Sequence, residues 1–187
     1  MNGFEKELRE KVLGFTSHVT AYKNPTVNSH NLLEFKNLQN KKQILGYSPY
    51  IERESLLSSN IFSTNAMVRA VVPNLERNVG VVHENIVSGS YADFENPENN
   101  IILGSGVALK LNIKLDDEVD LYMQFPSRSS SKLVQFKNTY KVVGIFDVGI
   151  YEYNNAYAFI NLNNLLLSLK QSNKSHIKID AIRIKLE

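Results

Sequence analysis

The sequence predicts a mixed α+β fold from three observations. Apolar residues recur at helical spacing over residues 4–15 and again from Leu162 to about Gln171. Strand-like runs occupy 118–125, 139–146, 156–161 and 177–186. Segments of both kinds run through the chain without an internal repeat of fixed period.

Each element has a local reason. Phe4, Leu8, Val12 and Phe15 form one face of an amphipathic helix, with Glu5, Lys6, Arg9 and Glu10 between them. Gly14 suits its stop, and Ser17 to Tyr22 then alternates like a strand. Lys23 to Ser29, with Pro25, reads as a turn, after which Asn28 or Ser29 caps a second helix running to about Asn40. Pro49 lacks an N–H, so Tyr47 to Glu54 reads as an edge or irregular strand. Ser58 to Val72 reads as a hairpin turning near Thr64-Asn65. Pro73-Asn74 is the first plausible subdomain junction, and a loop-rich stretch follows to Ile101. A short helix spans Gly104 to Leu111 before strands at Glu118–Phe125, Thr139–Phe146 and Ala156–Asn161. In the last strand Ile177 and Ile179 share one parity, whereas Ile182, Ile184 and Leu186 take the other. A bulge at Asp180-Ala181 would restore one buried face.

Composition narrows the function classes. The 187 residues are 43% hydrophobic and 21% charged, the balance of a folded chain. A net charge of +2 gives no general pull toward nucleic acid, so no nucleic-acid partner is expected. The absence of cysteine excludes disulfides, thiolate zinc sites and a cysteine nucleophile. No run approaches the ~18 apolar residues of a membrane helix, and no signal peptide opens the chain. Taken alone, these point to a soluble cytosolic domain.

Motifs of catalysis are missing or misspaced. His18, His30, His83 and His176 lack the spacing of a metal pair, and only His83-Glu84 are adjacent. Gly104-Ser105-Gly106 with Lys110 does not meet the phosphate-loop spacing and reads as a glycine turn into a helix. Asp116, Asp117, Glu118 and Asp120 fail the calcium-loop pattern, with Leu121 and Ser127 at its sixth and twelfth positions. No serine occupies a nucleophile elbow. The chain is therefore expected to be no enzyme and to hold no cofactor or metal. One charge feature stands out: Arg128, Lys132, Lys137 and Lys141 lie in an interval without Asp or Glu from Leu121 to Phe146. Its first part, Phe125 to Lys132, has the composition of a projecting hairpin loop, which leaves solvated surface and partner recognition both open.

Several stretches, read in order, resemble the extracytoplasmic domain of the LolC/LolE lipoprotein-releasing permeases, relatives of MacB-type transporters. Met1 to Glu5, Glu7 to Arg9, Val12 to Phe15 and His18 to Thr20 look like the segment after the family's first membrane helix. Ser48 to Glu52 resembles its Pro-Tyr segment, and Ile101 to Ala108 with Leu111 its Leu-Gly helix entry. Val142 to Phe146 and Gly149 to Tyr153 resemble its Val-Val-Gly-Ile-Phe and Tyr-Glu-Tyr signatures. Asp116, Val107 and Asn154 depart from it, standing for glycine, leucine and aspartate.

The resemblance implies a domain on the periplasmic face of the bacterial inner membrane, between flanking membrane helices. It implies a MacB-like core: a mixed α/β Porter-like subdomain (1–74 with 176–187) and a β-rich Sabre-like subdomain (75–175). ATP hydrolysis would lie in a separate ATPase subunit, beside a second permease subunit. The domain would serve transfer of a lipoprotein substrate to the periplasmic chaperone LolA. The loop 125–136 occupies the place of the family's chaperone-capturing hook, with Phe125, Pro126, Leu133, Val134 and Phe136 as apolar contacts. Ser127, Arg128 and Lys132 complete the expected set, the two cations steering encounter. The alternatives are a MacB-like export permease domain binding an adaptor protein, and a free-standing binding protein or enzyme.

Overall fold

The computed structural model describes residues 6, 12–17, 19–22, 43–126, 133–172 and 179–187. Residues 12–16 are helical, as the apolar spacing of Val12 and Phe15 requires. The helix expected to end near Asn40 lies outside the described residues.

Among the described residues nine strands make one mixed sheet: β1 (Val19–Tyr22), β2 (Ile44–Ser58), β3 (Ser63–Val71), β4 (Ile86–Gly89), β5 (Asn100–Gly104), β6 (Glu118–Pro126), β7 (Leu133–Phe146), β8 (Tyr157–Asn161) and β9 (Ala181–Leu186). Short helices among the same residues interleave with them: α1 (Pro73–Glu76), α2 (Tyr91–Glu95), α3 (Ser105–Leu111), α4 (Tyr151–Ala156) and α5 (Leu162–Gln171). Strand pairing runs β2-β3-β8-β5-β7-β6 and returns to β2, so six strands close into a ring. Closure leaves β1 and β4, outside the ring, as the terminal strands of the sheet. Alternate residues point inward, among them Leu57, Val68, Leu103, Leu121, Tyr140 and Ile160, and α3 and α5 add Val107, Leu111 and Leu165 to the same core. A second core on the outer face gathers Phe15, Phe94, Phe146 and Phe159, and a third joins Tyr47 to Ile182 and Ile184.

Several expectations are corrected. The segment with Pro49 belongs to a longer strand than expected, but residues 44–49 pair with β9 alone and 51–54 with β3 alone, so the edge-like reading of 47–54 holds at every position except Tyr50. Pro49 is tolerated because it faces only β9 there; pairing with β3 begins one residue later, at Tyr50. The first hairpin turns at 59–62 rather than at Thr64-Asn65. Ser59 closes it, donating N–H to the Phe62 carbonyl (2.8 Å) and accepting the Phe62 N–H on Oγ (3.0 Å). The stretch read as loop-rich holds α1, α2 and β4, elements too short to show a period. β9 begins at Ala181 and is regular; the register shift falls on its partner, between Ile44 and Gly46 of β2.

Candidate partner-binding hairpin

β6 and β7 pair from Glu118↔Lys141 to Pro126↔Leu133, giving nine rungs. Strict alternation makes them a two-faced ribbon: Val119, Leu121, Met123 and Phe125 point into the ring, opposite Phe136, Tyr140 and Val142. β2 supports only Asp120 to Met123, so the rungs from Gln124 to Pro126 extend beyond that ladder.

The expected contact residues divide. Phe125 and Phe136 face the core, not a partner: they are 0% and 4% exposed and pack edge to face at 6.3 Å. The periodicity that makes 118–125 a strand already assigns Phe125 to the face of Val119 and Leu121, so parity carried this signal. Pro126 and Leu133 are exposed, Leu133 by 62%, and Val134 is half-buried. Ser127, Arg128 and Lys132 lie outside the described residues.

The basic interval is partly neutralised by acids from across the hairpin. Lys137 Nζ lies 2.8 Å from Asp120, which also accepts the Thr139 hydroxyl at 2.6 Å. These hydrogen bonds, from Lys137 first and Thr139 second, hold the Asp120 carboxyl below the usual carboxylate range. Lys141 pairs with Asp116 at 2.7 Å, and that hydrogen bond raises its own pKa. Asp120 sits opposite Thr139 with Lys137 on the diagonal, an arrangement visible only once the register is known. Within the ring, burial pushes the Tyr140 hydroxyl up to about 12. It makes no well-formed hydrogen bond among the described residues, although the Asn138 side chain lies close enough to offset part of that rise.

The outer end of the hairpin is anchored by residues that the motifs did not reveal. β2 exchanges β9 for β6 along one edge between Tyr50 and Ser55. Asp180 fills that seam: its carboxylate accepts the Glu52 N–H at 2.8 Å and a two-armed contact from Arg53. The Arg53 guanidinium in turn lies 5.6 Å above the Phe125 ring.

The glycine motif has a packing role. A Cβ at Gly104 would overlap the Asn154 carbonyl, and one at Gly106 the Asn155 amide, so both glycines admit α4 against α3. Asn154 is buried; its Oδ1 accepts the Val148 N–H (3.0 Å) and its Nδ2 donates to Asp147 (2.6 Å). The acidic turn is local, Asp117 accepting the Lys114 N–H at 2.8 Å. Among the described residues no His, Asp and Glu gather as a metal cluster; His18, His30 and His176 lie outside them.

No protein-family model matches the chain. It is 28% identical to the lipoprotein-releasing system transmembrane protein LolC of Neisseria meningitidis serogroup B over 166 residues, 88% of this chain and 40% of that protein. It is 27% identical to LolC of Xylella fastidiosa (strain Temecula1) over 181 residues, 96% of this chain and 43% of the relative. LolE of Haemophilus influenzae is 30% identical over 126 residues, 65% and 30% of the two chains. The chain thus spans less than half the length of these relatives. Its fold is that of the extracellular domain of the ABC-type transporter YknZ from Gram-positive bacteria, with a TM-score of 0.58 at 13% identity over 90% of this chain and 82% of that one. It is likewise that of the periplasmic region of MacB from Actinobacillus actinomycetemcomitans, with a TM-score of 0.55 at 14% identity over 97% and 80%.

Proposed function

We propose that this relative of the LolC and LolE permeases is the periplasmic domain of an inner-membrane ABC transporter permease that releases lipoproteins and passes them to the chaperone LolA. Membrane helices flanking this chain would hold it at the membrane, and a separate ATPase subunit would supply the energy beside a second permease subunit. Residues 1–74 with 176–187 would form the Porter-like part and 75–175 the Sabre-like part, sharing one sheet through the β3–β8 and β2–β6 ladders. The supporting similarity spans nearly the whole chain.

The observation that carries the chaperone-binding part is the β6–β7 hairpin, which pairs out to Pro126↔Leu133 and presents Leu133 to solvent. An exposed leucine on a firmly paired ribbon suits capture of an apolar partner groove, with little ordering entropy lost on binding. The test is calorimetric titration of LolA into the domain, with residues 127–132 replaced by Asn-Gly, a two-residue link that suits a hairpin. Affinity should fall by at least about tenfold while the domain stays folded. Unchanged affinity would assign chaperone capture elsewhere.

The fold shared with MacB favours a second reading, export through an adaptor protein. Binding of an adaptor in place of LolA by the same hairpin would select it.

A further inference from the structure

Among the described residues, Arg69 and Arg183 are the buried cations, 6% and 2% exposed. They converge on the end of the helical stretch 12–16. Its Leu13 carbonyl receives the Ser17 N–H at 2.7 Å. The next two carbonyls receive guanidinium groups instead: Arg183 Nη2 donates to Gly14 and Phe15 at 2.9 Å each, and Arg69 Nη1 donates to Phe15 at 3.1 Å. A helix C-terminus has unpaired carbonyls and partial negative charge, so the two cations answer both. Gly14 lets the helix seat against Val81, which a Cβ there would overlap. Glu76 of α1 balances Arg183, and Glu52 of β2 balances Arg69, whose guanidinium lies 5.1–5.7 Å from the rings of Phe15, Tyr50, Tyr157 and Phe159.

As a source of stability this arrangement is inefficient. Apolar groups of similar volume commonly match or exceed a buried ion pair, because desolvation offsets the attraction. Here Glu76 Oε2 and Arg183 Nε also lack hydrogen-bond partners among the described residues. Charged hydrogen bonds give something apolar packing does not, which is direction. Donors on two successive carbonyls fix both the rotation and the axial position of a helix. The joint they span is where the chain turns from the helix toward β1, for Ser17 follows the helix at φ 84°, in the left-handed region.

We propose that Arg183, backed by Glu76, is a positioning residue that locks the helical stretch 12–16 to the last strand, so that the two move as one body. On the transporter reading, on which this consequence rests, that helix and β9 lead to the two flanking membrane helices. The lock then passes a displacement of either to the ring instead of letting Ser17 bend.

Glu76→Met with Arg183→Met tests this without leaving a buried carboxylate unpaired. In the 187-residue chain, amide hydrogen exchange at residues 14–17 should speed up by about tenfold or more, with β5 and β8 unchanged. In the full-length permease, lipoprotein release should be lost while LolA affinity is kept. Wild-type exchange at 14–17, or wild-type release, overturns the proposal. Should the double variant not fold, Arg183→Lys keeps the charge but lacks the two-armed donor; wild-type exchange in that variant is equally fatal to it. A wild-type permease that releases no lipoprotein sinks the transporter reading instead, and exchange alone then decides the positioning role.

Discussion

Phe125→Ala separates packing from recognition within one hairpin. The ring is fully buried, meets Phe136 edge to face at 6.3 Å and lies under the Arg53 guanidinium at 5.6 Å. Truncating a buried phenylalanine costs about 3–5 kcal/mol, as lost transfer energy plus the cavity left behind. The edge-to-face contact accounts for roughly 1 kcal/mol, so Phe125→Ala with Phe136→Ala should cost less than the sum of the singles by about that amount. Leu133→Ala removes an exposed side chain, so it should change stability by under about 0.5 kcal/mol. On the proposed function it should nevertheless weaken LolA binding by about tenfold or more. Urea unfolding followed by circular dichroism and calorimetric titration on the same samples give both numbers. If Phe125→Ala kept stability within about 1 kcal/mol of wild type yet abolished binding, its ring would belong to the interface and the inward face would be misassigned.

Other outcomes follow from single contacts. Asn154→Asp sets a carboxylate where an amide donates to Asp147, so it should destabilise by about 2–4 kcal/mol at neutral pH and recover toward pH 4, where the pair takes up a proton; thermal melts across pH check this. Tyr140→Phe removes a buried hydroxyl whose polar neighbour, Asn138, is poorly placed for a hydrogen bond, and should raise stability by up to about 1 kcal/mol in urea unfolding. Gly104→Ala meets backbone where Gly106→Ala meets a side chain that can turn, so the former should cost more, about 1–3 kcal/mol by the same assay. The Asp120 carboxyl has a lowered pKa in the folded state, so its stabilisation is present above the unfolded value near ~4 and lost as pH falls through the folded one. The melting curves of wild type and Asp120→Asn should therefore differ at neutral pH and converge in acid.

The parts legible in the sequence were those with a repeating local signal. α5 keeps its helical spacing from Leu162 to Gln171, and β6 alternates without a break, so both were found within a residue or so. Ring closure was not legible, because the β2–β6 ladder joins Ser55–Ser58 to Asp120–Met123 and nothing local announces it. The arginine lock left a trace: Arg69 and Arg183 each interrupt an apolar run, Val68-Arg69-Ala70 and Ile182-Arg183-Ile184, in strands buried on both faces. A charge there needs a partner, yet Gly14, Phe15 and Glu76 are remote in the chain and only folding identifies them. For the hairpin, parity, not composition, decides which phenylalanines turn inward.

The exchange of partners along β2 has a consequence for how the chain acquires its fold. Residues 44–50 are among the first of the sheet to leave the ribosome, and their ladder partners, 181–186, are the last. Until β9 emerges, the first half of β2 presents an unpaired edge carrying Ile44 and Tyr47, and the lock on residues 14–15 cannot form. Such long-range pairing makes folding slow and leaves the nascent chain prone to association. Truncation within the last strand should therefore be far more damaging than its position near the end of the chain suggests.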